Sequence, residues 1–363
     1  METKFYIAAL IGTGRIGFSL GFDKKREQPA SHTMALLGNK RIRLVAAADT
    51  DKEKLADWKK FVDRHCKTGS SGWDCRDNKI YTHYDGTGNS ARIFSSSEEL
   101  YKTVNPDIIT IAVNEDSHLE ECIKAIKARP RLIILEKPVA LNSEEAEKIR
   151  TLAEEENVPV MVNHERRFAA DYNEAKKYMS KIGMLQSVRG ELYSGLRIYG
   201  KEFEEDGSYS LLHDGTHLVD IIRFLLDEDL TAPIVTGIFK DEKNVVRNFS
   251  AHYSTKNCPD VSIYMSGRSR FFSFGLDILG TEGRICIGNG YAKFYQRKES
   301  KLYTGFYSLS RDRSIRLPKK TGYFSSMIQN AVDFLDGTEP LKSPLSDAIN
   351  DLRVLEEIKE KIK

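Results

Sequence analysis

Cysteine is scarce. Five residues (Cys66, Cys75, Cys122, Cys258 and Cys286) are spread over 363 positions, an odd number that makes no disulfide framework and fits reduced thiols in the cytosol. An excess of one charge is missing as well, since 55 Lys and Arg face 53 Asp and Glu for a net +2, with no dense basic block. That balance excludes nucleic acid as an expected partner. No apolar run approaches the roughly 20 residues that span a bilayer. The early run "FYIAALI" is too short and wrongly flanked for a signal peptide. The expectation is a cytoplasmic protein with no membrane partner. Repeats and low-complexity tracts are also absent.

What is present is ordinary in bulk and specific in detail. Apolar residues at 40% and charged residues at 30% suit a globular chain, and 363 residues exceed what one core usually serves, so two domains are expected. The first third alternates β-like runs ("KFYIAALI", "RIRLVAAAD", "PDIITIAVN", "RLIILEKPV", "VPVMVN") with helical patterns. Parallel strands need crossover helices between them, so this alternation predicts a doubly wound parallel sheet. In "DSHLEECIKAIKA", Leu119, Cys122, Ile123 and Ile126 keep helical spacing, and Asn142 with Glu145 has the spacing of a capping box. Beyond about residue 165 the pattern becomes one or two helices and a long series of period-two segments, which predicts a mostly antiparallel sheet with one packed face. A terminal helix from Pro344, capped by Ser343, carries Leu345, Ala348, Ile349, Leu352, Leu355, Ile358 and Ile362 on one side.

"ALIGTGRIG" follows the first strand with Gly12, Gly14 and Gly17 in G-x-G-x-x-G order. Glycines here permit a tight turn and close approach of backbone to a pyrophosphate, so Gly12, Thr13, Gly14, Arg15, Ile16 and Gly17 are the expected cofactor cradle. Asp49 ends the second strand, where a carboxylate accepts hydrogen bonds from ribose hydroxyls and repels a 2′-phosphate. NAD is therefore expected over NADP. Asp49 stands 32 residues after Gly17 rather than the usual about 20, and "FDKKREQPASHT" is read as the insertion responsible. Domains are expected at 1–164, a Rossmann dinucleotide-binding domain, and 165–363, an α/β domain for substrate and oligomer contacts, with helix 344–363 free to pack back on the first.

"LIILEKPVAL" places Glu136, Lys137 and Pro138 at the end of a strand, where open parallel sheets bind ligands. "LLHDGTHLVD" sets His213 and His217 four apart, with Asp214 between them and Asp220 beyond. At 100° per residue His213, His217, Asp220 and Phe224 share one side of a helix, expected to face a cleft or solvent. Together with "NHERRF" and "DILGTEGRICIG", these motifs resemble the Gfo/Idh/MocA family (glucose–fructose oxidoreductase, inositol dehydrogenase, rhizopine catabolism) over essentially the whole chain.

The resemblance implies NAD(P)-dependent redox chemistry on a sugar, cyclitol or related polyol, and homo-dimers or homo-tetramers formed through the open sheet. Lys137 matches the family's catalytic lysine and His217 its catalytic histidine. Glu136, Asn114 and His118 fall at cofactor positions, and Arg166, Arg167, Tyr193 and Asp214 at candidate substrate positions, with Arg197 and Tyr199 beside them. The family's aspartate four residues before the histidine is His213 here, so either His213 or Asp214 takes its role. A neutral imidazole suits proton transfer near pH 7, and a lysine ammonium suits a developing alkoxide.

Two rival functions use the same residues: a glycosidase or lyase that uses NAD transiently, and a dinucleotide-binding sugar sensor. No metal is expected. "HDGTH" lacks the H-E-x-x-H pattern, and His65, Cys66, Cys75 and His83 match no compact zinc spacing.

Overall fold

The computed structural model describes residues 4–66, 72–74, 79–81, 90–194 and 208–362, with side chains described outside 65–89 and 208–213. The chain forms two compact units, one of residues 1–169 with 322–349 and one of residues 170–321 with 350–363.

In the first unit the strands are β1 (Tyr6–Ile11), β2 (Ile42–Ala48), a small pair β3 (Gly72–Asp74) and β4 (Lys79–Tyr81), then β5 (Arg92–Phe94), β6 (Ile108–Ile111), β7 (Leu132–Leu135) and β8 (Val160–Val162). The main sheet has the order β5-β2-β1-β6-β7-β8, and every pairing in it is parallel. Its helices are α1 (His32–Gly38), α2 (Lys52–Cys66), α3 (Ser97–Thr103), α4 (His118–Lys127) and α5 (Ser143–Glu155). All four residues of β6 and of β7 are buried, as expected when helices cover both faces of a parallel sheet. The Asn142 side chain caps α5 by accepting from Glu145 N–H at 2.9 Å, while the Glu145 carboxylate reaches back to Leu141 N–H at 3.3 Å.

The second unit opens with α6 (Ala170–Tyr178), β9 (Leu185–Tyr193) and α7 (Ser208–Leu226). Seven strands follow: β10 (Ile234–Lys240), β11 (Val246–Tyr253), β12 (Val261–Ser266), β13 (Ser273–Gly280), β14 (Gly283–Gly288), β15 (Tyr291–Glu299) and β16 (Tyr307–Arg311). They form an eight-stranded sheet, β10-β11-β12-β9-β13-β14-β15-β16, antiparallel except where β12 meets β9. Helices α6 and α7 lie on one face of it. Gly190 of β9 makes this close packing possible, since a Cβ there would lie 2.7 Å from Ile222 and 3.0 Å from Leu218 of α7.

The chain then returns to the first unit as α8 (Tyr323–Leu335), whose Phe324, Met327, Ile328, Ala331 and Val332 join the core around Tyr6, Leu10 and Trp58. The last helix, α9 (Leu345–Ile362), buries all seven residues of the apolar stripe read from the sequence.

The insertion after the glycine loop has a definite form. Residues 14–20 make one helical turn, with Phe18 N–H on Gly14 O at 2.9 Å, and the chain then leaves it. In an unbroken helix the carbonyls of Ile16 and Gly17 would serve residues 20 and 21. They are taken instead by His32 N–H at 3.1 Å and Thr33 N–H at 2.9 Å. Thus α1 resumes the interrupted helix after an excursion of twelve residues, since position 32 replaces position 20. That excess accounts for the long interval between Gly17 and Asp49.

Candidate active site

The glycine loop is held by contacts that allow no side chain. Gly12 has φ of +92°, and a Cβ on it would lie 2.5 Å from Ala112 O; a Cβ on Gly17 would lie 2.1 Å from Gly12 O. Gly14 differs, for a Cβ there would meet nothing within 4 Å, so its bareness leaves space on the open side of the loop. Arg15 is exposed, and Ile16 packs on the core, so neither the bare loop nor its hold depends on their polarity.

Asp49 clasps this loop from β2. Its Oδ2 accepts from Thr13 N–H at 2.6 Å and Thr13 Oγ1 at 2.8 Å, and its Oδ1 accepts from Asp51 N–H at 2.9 Å. A cavity of about 490 Å³ opens beside it, lined by Gly12, Gly14, Asp49, Asp51, Lys54, Ser96 and Asn114, among others. Lys54 is paired with Asp51 at 2.8 Å. A backbone cradle, a bare glycine and carboxylates at a strand's end suit a dinucleotide's pyrophosphate and ribose.

The "EKP" run directly follows β7. Lys137 is half-buried just past β7, two strands from β1 in the same sheet and so roughly 10 Å across from the glycine loop at 4.8 Å per strand. Glu136, expected among the cofactor contacts, has its carboxylate engaged by the protein's own groups. It is buried, and its Oε1 accepts from Asn163 Nδ2 at 2.6 Å and meets His32 Nε2 at 2.5 Å. Burial pushes the Glu136 carboxyl up, but the His32 contact and charge, the Asn163 amide and the Lys137 charge outweigh it and hold it below the usual carboxylate range.

His118 is also inward, 1% exposed, with Nδ1 2.7 Å from Pro138 O and Nε2 3.2 Å from Val113 O. It braces two loops through these carbonyls, and burial holds its pKa below the ordinary value despite both of them. Asn114 remains exposed at the cavity.

Of the two arginines, Arg167 is buried, donates to Lys342 O at 3.0 Å and forms a close ion pair with Asp347, so its guanidinium braces its own unit. Arg166 is half-buried, 3.5 Å from Glu165.

In the second unit, Asp214 and His217 stand one turn apart on α7, both half-buried. Asp220 departs from the expected open stripe and is 1% exposed. Gly215 serves packing, since a Cβ there would lie 3.1 Å from both Met265 and Leu355. Tyr193, an expected substrate contact, lies on the face of β9 away from α7. Period-two alternation points Gly190 and Leu192 toward α7 and sends Glu191 and Tyr193 to the opposite side, where the Tyr193 ring lies 5.6 Å from those of Tyr264 and Phe271. The side chain of His213, together with Arg197, Tyr199 and the His65, Cys66, Cys75 and His83 group, lies outside the described residues.

Sequence reasoning missed His32 and Asn163. Asn163 directly follows β8, so the rule about strand ends could have found it, whereas His32 sits in what reads as insertion and gives no spacing signal.

Residues 7–164 match the oxidoreductase family with an NAD-binding Rossmann fold. The chain is similar to the 1,5-anhydro-D-fructose reductase of Ensifer adhaerens, 22% identical over 56% of this chain and 63% of that protein. It is similar as well to the scyllo-inositol 2-dehydrogenase (NADP(+)) of Bacillus subtilis, 26% identical over 36% of this chain and 37% of that one. The chain thus aligns with under two thirds of each relative's length. Among solved structures, an oxidoreductase from Agrobacterium radiobacter in complex with NAD+, L-tartaric acid and magnesium shares the fold, with a TM-score of 0.70, 18% identity, and coverage of 97% of this chain and 94% of that one. Among the described residues, no helix is long and apolar enough to cross a membrane.

Proposed function

We propose that the chain, whose residues 7–164 match the Gfo/Idh/MocA oxidoreductase family, is a member of it and moves hydride between a nicotinamide dinucleotide and a secondary hydroxyl of a sugar, cyclitol or sugar derivative. The observation that carries this reading is the cavity at the carboxyl ends of β1 and β2, with Lys137 at the end of β7 in the same sheet. When bound, the nicotinamide supplies the hydride acceptor or donor.

The protein's own groups handle position and protons. In the oxidative direction His217 takes the hydroxyl proton onto an imidazole nitrogen, and returns it in the reverse direction. The Lys137 ammonium orients the hydroxyl and stabilises alkoxide charge as it develops. Asp214 or His213 turns the imidazole, and Arg166 is the better placed of the two arginines to meet substrate. Thr13 and Asp49 keep the cradle in shape before the dinucleotide arrives. Of the two dinucleotides, NAD is preferred: Asp49 and Asp51 both line the cavity, while the two lysines that line it are already paired, Lys54 with Asp51 and Lys124 with Glu98, Glu120 and Glu121.

The open face of the second sheet, which carries Arg189, Glu191, Tyr193 and Tyr264, supports a homo-oligomer formed through it. Light scattering of the purified protein tests that assembly.

The test of activity is turnover of a panel of sugars, cyclitols and sugar acids with NAD and with NADP. Lys137→Ala and His217→Ala should each lower kcat by about 100-fold or more on the best substrate. Turnover within a few-fold of normal in either variant would overturn the role given to that residue.

A further inference from the structure

We propose that His32 is a positioning residue for Lys137, acting through the buried carboxylate of Glu136; this rests on the reading of Lys137 as the lysine of hydride transfer. His32 is the first residue of α1, and its place is fixed by the resumed helix. Its own N–H closes the Ile16 carbonyl at 3.1 Å, and the Thr33 hydroxyl beside it bonds Gly17 O at 2.7 Å and accepts from Trp58 Nε1 at 2.9 Å. The side chain is fully buried, with its ring set edge-on to Phe324 at 5.2 Å. Nε2 meets Glu136 Oε1 at 2.5 Å, while Nδ1 has no hydrogen-bond partner among the described residues.

Packing alone does not account for these choices. An apolar residue would fill the site beside Phe324 without leaving a ring nitrogen unsatisfied, and a buried carboxylate is costly unless it is paired. The arrangement has a purpose once the chain position of Glu136 is considered. Glu136 points inward at the end of β7 and Lys137 follows it, half-buried, so the carboxylate is the fixed negative charge beside the lysine's backbone. The titratable or charged groups facing Glu136 are His32 from α1, Lys137 from its own segment and His118 from α4.

His32 is the strongest of the influences that keep this buried carboxyl ionised. Without its donor the largest influence that offsets burial is gone, so the Glu136 carboxyl rises although Asn163 and Lys137 still act on it, and Lys137 loses a steady counter-charge and a rigid neighbour. The same helix start closes the carbonyls of the glycine loop. One element therefore sets both the cradle and the lysine.

The test compares His32→Gln, whose amide nitrogen can stand where Nε2 stands, with His32→Asn, which is too short to reach Glu136. The full-length protein is labelled with an amine-acylating reagent across a range of pH, and Lys137 is followed by peptide mass spectrometry. In His32→Asn and in Glu136→Gln the labelling profile of Lys137 should move to lower pH by about one unit, while His32→Gln keeps the wild-type profile. In turnover, His32→Asn should lose about tenfold in kcat, with KM for the dinucleotide within about twofold, and His32→Gln should recover most of the loss.

Equal labelling profiles for His32→Gln, His32→Asn and wild type would overturn the proposal. So would a loss in His32→Asn that falls on KM for the dinucleotide instead of kcat. Labelling needs no substrate, so it judges His32 even if Lys137→Ala proves active and the catalytic reading fails.

Discussion

In the first unit the four residues of β6 and the four of β7 are all buried, whereas in the second β13 alternates half-buried and buried residues along its whole length. A parallel sheet covered on both faces has no free face to offer, so its chemistry collects at the carboxyl ends of its strands: Gly12, Asp49, Asn114, Glu136 and Asn163 all stand there. The antiparallel sheet keeps a face. Its polar and aromatic side chains, Arg189, Glu191, Tyr264 and the paired Asp277 and Arg284, are spread over a surface rather than gathered at a point. The first arrangement gathers polar groups in loops, and the second lays them out along the face opposite α7.

The comparison can be broken by substitutions that should act on one unit alone. The largest effect is expected at Asp351, fully buried and 2.6 Å from the Arg223 guanidinium of α7. Asp351→Ala should cost about 3 kcal/mol, toward the low end because Asp229 still pairs with Arg223. Urea unfolding measures this. Dinucleotide affinity should stay within about twofold, and a larger change would show that the nucleotide site draws on the second unit as well.

Gly17→Ala should do the converse. Its Cβ would collide with Gly12 O, so dinucleotide affinity should fall by about 2 kcal/mol, roughly 30-fold, in calorimetry. Asp49→Ser is smaller and more selective. NAD should bind about tenfold more weakly and NADP should lose less, because the variant loosens the loop and removes a ribose acceptor for both but relieves a repelling charge for NADP alone.

The smallest effect concerns pH. Burial holds His118 below the ordinary 6.5, so the folded protein binds fewer protons there than the unfolded chain. The contribution of His118 is complete above 6.5 and is lost as pH falls through its lower folded value. Melting temperatures taken from about pH 7 down to about pH 5 should decline, and His118→Asn should flatten that part of the slope.

Much of the first unit was legible because its elements are local. Strand runs, the capping role of Asn142 and the α9 stripe depend on residues a few positions apart. The glycine motif and "EKP" were legible for the same reason. What was not legible is the set of partners that lie far along the chain. Glu136 and His118 were placed among the ligand contacts, since nothing in their segments announces His32, 104 positions away, or the Pro138 carbonyl, 20 positions away. The face of Tyr193 was not legible for another reason: alternation says that Gly190 and Tyr193 differ in face, but which face α7 covers is decided by tertiary packing. The return of α8 to the first core has no sequence signature, because an apolar helix reads the same whichever core it joins.

The interrupted helix at the glycine loop has a consequence for how such chains should be aligned and engineered. A hydrogen-bond ladder registers only which groups are neighbours in space, so Ile16 and Gly17 are served as well by residues 32 and 33 as by residues next in line. Counting positions from the glycines therefore misplaces everything downstream, while counting helical turns does not. Joining Ser19 directly to His32 would remove the excursion and leave the ladder whole, so the segment between them is a natural point at which to shorten, lengthen or replace the chain.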